Sequence, residues 1–267
     1  MQTFFTNHAH RMSQGSIHEG LPQGKEELIC GLNTYVVGNR TNPRGIIVIY
    51  SDRRVAVYLP GFFQGDPVPL SLADHLIPVD ESKQSIICKY TGLLASAPSF
   101  LMWQTRHRQG PTNKTCMDFL RALRRENSKS QKIGMVRFCW GGKYAIRAGL
   151  ESNMIEVDGA KVPLVDAVVA LHPSHLALPA DVETLVVPVS YGWGVEDTFV
   201  KFEQMAMVQG IHAGIKQAGR HVPEMAHQEY KPGRHGFAVR GNPDDPLERA
   251  CLEDSVAQVL TWFGRWL

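Results

Sequence analysis

The segment from Ile133 to Ala145, with the sequence IGMVRFCWGGKYA, constrains the fold more than any other part of the chain. It predicts an apolar strand, a tight turn and a helix that begins near a pair of glycines. Such a bend lifts its central side chain above the sheet and directs the first N–H groups of the helix toward it. The central residue is Cys139, so a thiol stands where a nucleophilic serine is usual. Two interpretations stay open, because a cysteine can be a nucleophile or a small buried apolar residue.

Two later segments favour the nucleophile. An apolar strand ending at Tyr191 leads through a glycine-containing loop to Glu196 and Asp197, and His235 lies in a glycine-flanked loop before the last helix. Nucleophile, acid and histidine follow one another in this order in hydrolases with a nucleophile elbow. Glu196 and Asp197 compete for the role of the acid. We prefer Asp197 because it begins a loop-to-helix step, although an aspartate there can equally be a helix cap.

Apolar segments and amphipathic stripes alternate along the rest of the chain. Short strands that are apolar throughout are typical of a parallel sheet covered on both faces. Helical stripes are expected at Cys116, Phe119, Leu120 and Leu123 and at Leu252, Val256, Val259, Leu260 and Phe263. We therefore predict an α/β fold, a doubly wound and mostly parallel sheet with helices on both faces. The predicted strands are Leu32–Val37, Gly45–Tyr50, Val55–Leu59, Ile133–Phe138, Val165–Leu171, Val186–Tyr191 and His227–Tyr230.

One connection breaks this pattern. The two apolar segments within 45–60 are separated only by residues 51–54, whereas a parallel pair ordinarily needs a crossover of about a dozen residues or more. The first crossover is therefore truncated. Either the two segments form an antiparallel hairpin, or one of them is outside the main sheet.

Composition excludes several other classes of function. A chain of 267 residues, 43% of them hydrophobic, can bury one sizeable core, so we predict a single domain over 29–267 after a loosely ordered segment over 1–28. The net charge of +2 gives no reason to expect nucleic acid, and no apolar segment is long enough to cross a membrane. The five cysteines lack metal-site spacing, and His8, His10 and His18 lack partner ligands, so neither a disulfide framework nor a metal site is expected. Because the N-terminus has no apolar signal region, the expected location is cytoplasmic.

Several of these residues together resemble the dienelactone hydrolase family, and its fungal members in particular. The resemblance rests on FCWGG at 138–142, GVED at 194–197 and HGFA at 235–238, with HEGLPQG at 18–24 and GFFQGDP at 61–67. It implies an α/β-hydrolase fold in which Cys139 is the nucleophile, His235 the base and Asp197 the residue that orients it. Similar family members carry a loop and a helix after the position of Asp52, so the chain resembles a member that lacks this segment.

The remaining site residues follow from the expected chemistry. The backbone N–H of Trp140 is the first donor expected to stabilise the oxyanion, and a second is expected near Arg53. The resemblance implies that Asp52 contacts the resting thiol, with a solvated turn as the alternative. Arg240 is expected to bind an anionic substrate or to lie on the surface. Aromatic residues, with Trp193 and Phe62 the preferred candidates, are expected to line the substrate pocket or to belong to the core.

The sequence therefore predicts a hydrolase that cleaves a small-molecule ester, lactone or thioester through an acyl-enzyme intermediate. No cofactor and no metal are required, and the protein is expected to be a monomer or a homodimer. Turnover is expected to rise near neutral pH as His235 loses a proton. Two alternatives remain. One is a degenerate relative without activity, since Arg137 replaces the elbow glycine and the short connection after Asp52 can leave the oxyanion site incomplete. The other is a tailoring hydrolase acting on polyketides in fungal specialised metabolism.

Overall fold

The computed structural model describes residues 24–38, 45–48, 56–68, 70–80, 83, 85–127 and 131–267. Within them, eight strands form one sheet in the order β1-β2-β4-β3-β5-β8-β9-β10, and β6 pairs with β7 in a separate hairpin. The strands are β1 (Lys25–Ile29), β2 (Leu32–Val37), β3 (Gly45–Val48), β4 (Ala56–Pro60), β5 (Lys132–Phe138), β6 (Ile155–Val157), β7 (Ala160–Val162), β8 (Ala167–Leu171), β9 (Val189–Gly194) and β10 (Met225–Tyr230).

Helices cover both faces of this sheet. They are α1 (Leu70–Leu76), α2 (Ile86–Arg106), α3 (Gln109–Glu126), α4 (Gly142–Ala148), α5 (Glu203–Gln217), α6 (Phe237–Arg240) and α7 (Pro246–Trp266). The strands β4, β3, β5, β8, β9 and β10 run parallel to one another. At one edge of the sheet, β2 pairs antiparallel with β4, and β1 pairs antiparallel with β2. The predicted α/β fold is confirmed. None of the helices in the described ranges combines the length and the apolar character that crossing a membrane requires.

Alternation along the central strands explains the two layers. Val168 and Ala170 of β8 pack in the cluster that contains α3 and α4, whereas Ala167, Val169 and Leu171 pack in the cluster that contains α7. Successive side chains of a strand point to opposite faces, so a strand that is apolar throughout serves two cores at once.

The amphipathic stripes were predicted with different success. All four residues expected to form the stripe of α3 are buried. Of the residues expected in the stripe of α7, Val259 and Phe263 are buried, Leu252 and Val256 are half-buried, and Leu260 is 39% exposed. Trp262 and Cys251, which were not expected in the stripe, are buried on the face of α7 that packs against the sheet. The buried residues of α7 are Cys251, Ser255, Val259, Trp262 and Phe263.

The connection between β3 and β4 corrects both alternatives given for it. The two strands are hydrogen-bonded neighbours in the main sheet and run parallel, with Ile46 opposite Ala56. β3 has four residues and spans about 10 Å, and the seven residues of 49–55 can reach about 23 Å, so covalent reach permits the return without a helix. Residues 49–55 themselves lie outside the described residues.

The N-terminal segment was also predicted incorrectly in part. Residues 25–28, expected to be loosely ordered, belong to β1, which pairs antiparallel with β2 at the edge of the sheet. The sequence KEELI is charged and lacks an apolar run because an edge strand is largely exposed.

Candidate active site

Cys139 lies at a sharp bend between β5 and α4. β5 ends at Phe138, residues Cys139–Gly141 form a 3-10 turn, and α4 begins at Gly142. Cys139 has a φ of +49°, in the left-handed region that residues other than glycine rarely adopt. A strained backbone at this point is a feature of nucleophile elbows, because it turns the side chain out of the strand.

Three side chains that are distant in the sequence meet at this bend. The Cys139 Sγ lies 2.8 Å from Nε2 of His235, and Nδ1 of the same ring lies 2.7 Å from Oδ2 of Asp197. The second carboxylate oxygen, Oδ1, accepts hydrogen bonds from the backbone N–H groups of Phe199 and Val200, each at 2.8 Å. Asp197 is therefore fixed on one side by its own loop and faces the imidazole on the other. Glu196, its competitor, is exposed.

Close contact between two loops makes this meeting possible. β9 and β10 are parallel neighbours, with Tyr230 opposite Gly194, so the loop of Asp197 and the loop of His235 leave the sheet side by side. A Cβ at Gly194 would collide with the carbonyl oxygen of Gly233. The glycine at 194 thus permits the separation at which the carboxylate reaches the ring.

The electrostatics favour a charged pair. Burial raises the pKa of the Cys139 thiol, but hydrogen bonding and the charge of His235, with help from the Trp140 N–H and Ser174, outweigh it, and the pKa lies below its ordinary value. Burial lowers the pKa of His235, but hydrogen bonds to Asp197 and Cys139 outweigh it and raise the pKa to about 9. The contact between the two side chains therefore favours the thiolate at Cys139 and the imidazolium at His235. The raised pKa of His235 runs against the expectation that the ring loses its proton near neutrality, because hydrogen bonds to Asp197 and Cys139 favour the protonated ring.

The loop after β8 contributes His172 and Ser174, two residues that were not predicted to contact Cys139. The backbone N–H of Cys139 donates to Nδ1 of His172 at 3.0 Å, and the backbone N–H of Ser174 donates to the carbonyl oxygen of Cys139 at 3.1 Å. The Ser174 Oγ lies 3.8 Å from the sulfur. The order of the strands could have indicated this contact: β8 is the parallel neighbour of β5, so the loop that follows β8 lies beside the bend that follows β5.

Cys139, His172 and His235 bring a sulfur and two ring nitrogens within 4.8 Å of one another, a donor set that a soft metal ion could use. The tautomer of His172 opposes this use. Its Nδ1 accepts the N–H of Cys139, so the neutral ring carries its proton on Nε2 and neither nitrogen has a free lone pair. The cluster fits a thiolate–imidazolium pair better than a metal centre. The three N-terminal histidines discounted as ligands lie outside the described residues.

Of the expected oxyanion donors, one is present in the described part of the chain. The Trp140 N–H hydrogen-bonds the Cys139 sulfur. The Trp140 ring belongs to an aromatic cluster beside the elbow, with centroid distances of 5.8 Å to Phe63, 6.1 Å to Trp103 and 4.9 Å to Tyr144. Asp52 and Arg53 lie outside the described residues.

Arg240 has a different position from the one expected. Its Nε donates to the carbonyl oxygen of Ile77 at 2.6 Å, and its Nη2 pairs with Asp74 at 2.5 Å. The guanidinium thus ties α6 to α1 and to the residue that follows it. This gives Arg240 a structural role instead of the expected contact with an anionic substrate.

Trp193 and Phe62 pack in the core. Trp193 is 1% exposed, stacks on Tyr191 at 5.6 Å and donates its indole N–H to Nδ1 of His227. Phe62 is half-buried and makes an edge contact with Phe119 at 5.6 Å. Both residues therefore follow the alternative in which an aromatic residue belongs to the core.

Arg137, the departure from the elbow pattern, is accommodated without displacing α4. Its guanidinium lies 4.4 Å over the ring of Phe62, and its aliphatic part lies beside Gly141. Cation–π contact and the absence of a side chain at 141 give the long residue space. Its Nη2 is buried and has no hydrogen-bond partner among the described residues.

A cavity of about 310 Å³ opens beside the imidazole. It is lined by Ile77, Glu196, Thr198, Phe199, Pro232, Arg234, His235 and Glu248. Arg234 and Glu248 neutralise each other at 2.8 Å, and the ring of Phe199 lies 4.9 Å from the ring of His235. The cavity thus gives a small molecule access to the histidine.

The comparisons with known proteins agree with this architecture. Over 274 residues the chain is 26% identical to hydrolase pyvD of Aspergillus violaceofuscus, covering 95% of this chain and 94% of the relative. Hydrolase tropI of Talaromyces stipitatus is 22% identical over 293 residues, with coverage of 95% and 94%. Among solved structures, a dienelactone hydrolase-like promiscuous phosphotriesterase from metagenomic libraries is similar in fold, with a TM-score of 0.54, 13% identity and coverage of 90% and 96%.

The family assignment rests on a profile that covers most of the chain. The dienelactone hydrolase family profile matches residues 96–267, a range that contains the elbow, the loop of Asp197 and the loop of His235. The predicted resemblance is confirmed, and the chain belongs to the dienelactone hydrolase family.

Proposed function

We propose that this protein is a cysteine hydrolase that cleaves a small ester, lactone or thioester, with Cys139 as nucleophile, His235 as acid and base, and Asp197 as the residue that orients the imidazole. The continuous chain of contacts from Sγ through both ring nitrogens to the carboxylate supports this assignment more than any other observation. Membership of a hydrolase family is consistent with it.

The lowered pKa of Cys139 suits nucleophilic attack. A thiolate is the reactive form of cysteine, and the shift increases the thiolate fraction at a given pH. In the first step, the thiolate lone pair forms a C–S bond with the carbonyl carbon, and the carbonyl π electrons move to the oxygen. The N–H of Trp140 supports the negative charge that develops there.

The imidazolium then completes acyl transfer. Nε2 of His235 gives its proton to the leaving oxygen or sulfur as the bond to the acyl carbon breaks, which leaves an acyl thioester on Cys139. The neutral ring next removes a proton from water, and the water oxygen attacks the thioester. Collapse of the second tetrahedral intermediate releases the acid and restores the thiolate. Asp197 stabilises the charged ring in both stages.

The group that donates a proton to the leaving group must stand beside it. We therefore place the alcohol or thiol part of a substrate in the cavity that His235 lines with Phe199 and Ile77. The roles of Asp52 and Arg53, the cytoplasmic location and the state as monomer or homodimer stay predictions.

The decisive experiment compares two half-buried thiols. Purified protein is mixed with 4-nitrophenyl acetate and, separately, with iodoacetamide at pH 7. We expect turnover with a burst of nitrophenol, loss of at least about 10³-fold of that turnover in Cys139→Ala, and loss of the rapid alkylation. Mass spectrometry of wild-type protein quenched during the burst with 4-nitrophenyl acetate should locate the acetyl group on Cys139.

Cys30→Ser is the matched control. Cys30 is half-buried like Cys139, but burial, followed by its hydrogen bond to Glu126, raises its pKa to about 12. The control variant should keep both turnover and rapid alkylation. A folded wild-type protein that turns over neither activated esters nor thioesters, and whose Cys139 reacts no faster than Cys30, would instead be the degenerate relative.

A further inference from the structure

The loop after β8 holds the backbone of the nucleophile from both sides. His172 accepts the N–H of Cys139, and the N–H of Ser174 donates to its carbonyl oxygen. Pro173, between them, packs on the first turn of α4, where a Cβ at Gly142 would lie 2.7 Å from the proline Cβ. Both polar groups of the Cys139 peptide are thus bound by one buried segment.

We propose that His172 is a positioning residue: by accepting the N–H of Cys139 it holds the nucleophile in the backbone conformation that directs Sγ at His235 and the N–H of Trp140 at the reacting carbonyl. This inference rests on the hydrolase function proposed above. It adds a fourth residue to the site, although His172 does not touch the reacting atoms.

Backbone strain gives the first support. Cys139 has a φ of +49°, and His172 and His175 have φ values of +40° and +59°. Non-glycine residues in this region persist only where surrounding contacts hold them, and they cluster at functional sites. Without an acceptor for its N–H, Cys139 would have a buried unpaired donor as well as an unfavourable φ.

The neutrality of His172 gives the second support. Burial, followed by the charge of His235, holds the pKa of His172 well below its usual value, so the ring stays uncharged. A carboxylate at this place would also accept the N–H, but its negative charge would oppose ionisation of the thiol beside it. A buried neutral acceptor satisfies the backbone without that effect.

An unpaired group gives the third support. Nε2 of His172 is buried and has no hydrogen-bond partner among the described residues, and the whole residue is 1% exposed. A buried polar atom without a partner is unfavourable, so packing alone would be better served by an apolar side chain. Among the described residues, the bond made by Nδ1 is the polar contact of the ring that accounts for a histidine here.

The test compares His172→Leu with His172→Asn. Leucine fills part of the space without an acceptor, whereas the asparagine Oδ1 can occupy a position close to that of Nδ1 and accept the same N–H. We expect kcat for 4-nitrophenyl acetate to fall by about 10²-fold in the leucine variant, with KM changed by less than about 3-fold, because misplacement acts on the chemical step. The asparagine variant should recover kcat to within about 10-fold of the wild type.

His227→Leu is the matched control. His227 is a half-buried histidine whose Nδ1 likewise accepts an N–H, from the Trp193 indole at 3.0 Å, but it has no contact with Cys139. Its removal should leave the pH dependence of Cys139 alkylation by iodoacetamide unchanged. In His172→Leu the midpoint of that alkylation should move to higher pH, since the sulfur is no longer aimed at His235.

The outcomes separate this inference from the proposed function. If wild-type protein hydrolyses esters and His172→Leu does so equally well, or if asparagine rescues nothing, the positioning role is wrong and the hydrolase stands. If no ester is hydrolysed but the alkylation midpoint moves in the leucine variant only, the positioning role stands and the hydrolase is wrong. Should the leucine variant not fold, NMR of wild-type protein labelled with ¹⁵N-histidine decides: a His172 proton on Nδ1 instead of Nε2 overturns the inference.

Discussion

His235 and His172 lie side by side, with ring centroids 5.1 Å apart, and both are buried, yet their pKa values move in opposite directions. Burial lowers the pKa of each. At His235 the hydrogen bonds to Asp197 and Cys139 reverse that effect, whereas at His172 nothing does. The partners of a buried histidine, more than its burial, therefore decide its charge.

The two rings also contact the same residue in different ways. His235 contacts the sulfur of Cys139 and can exchange a proton with it, while His172 contacts the backbone N–H and exchanges none. The difference divides the work of the proposed site. One loop supplies charge and proton transfer, and the other supplies orientation.

The largest expected effect comes from removing the charged ring. His235→Gln should lower turnover of 4-nitrophenyl acetate by about 10⁴-fold, because the variant loses both the base and the counter-ion of the thiolate. Alkylation of Cys139, which in the wild type is expected below the ordinary pKa of a thiol, should move to higher pH, since only the Trp140 N–H and Ser174 then oppose the effect of burial. An unchanged alkylation profile would contradict the ion pair.

A smaller effect is expected when the carboxylate is neutralised. Asp197→Asn keeps the shape but removes the charge that distinguishes His235 from His172, so the pKa of His235 should fall from about 9. Turnover should decrease by about 10²- to 10³-fold. In the wild type, activity should also decline above about pH 9 as the imidazolium loses its proton, and in the variant this decline should begin at a lower pH. Equal pH limits in the two proteins would argue against the role of Asp197.

The smallest expected effect concerns stability in acid. The pKa of His172 is lowered on folding, so below about pH 6.5 the unfolded chain binds a proton that the folded protein does not, and the unfolding free energy decreases as the pH falls. The slope approaches about 1.4 kcal/mol per pH unit for one proton. Lowering the pH from 6.5 to 5.0 should therefore decrease the unfolding free energy of the wild type by up to about 2 kcal/mol more than that of His172→Asn. Urea titrations at the two pH values measure this difference. Parallel stability curves would mean that His172 titrates normally.

The sequence predicted the parts of the fold and the site that depend on local pattern. The elbow around Cys139 is recognisable because strand, glycine turn and helix follow within a few residues, and the apolar strands β5 and β8 because both of their faces are buried. Cys139, Asp197 and His235 could be named together only from their order along the chain. The distances that bring them together come from the register of β9 and β10, which no local pattern contains.

The failures have equally specific causes. The charged strand β1 has no apolar run, so the partner that makes it a strand is visible only in three dimensions. Arg240 and Trp193 have the chemistry of binding residues, but their partners, Asp74 and His227, are distant in sequence. His172 was not predicted to contact Cys139. Its hydrogen bond to the backbone N–H of Cys139 could not be inferred, because every residue except proline has a backbone N–H and the sequence does not show which one a side chain will contact.

The parallel register between β9 and β10 has one further consequence. A slip of one residue would carry His235 about 3.3 Å along the sheet relative to Asp197 and reverse the faces of the strand. A compact chain with the wrong register between β9 and β10 would lack the contact between Cys139 and His235. Its thiol would then react at the rate of an ordinary cysteine. We therefore expect the rate at which Cys139 is alkylated to report whether β9 and β10 have paired in the correct register.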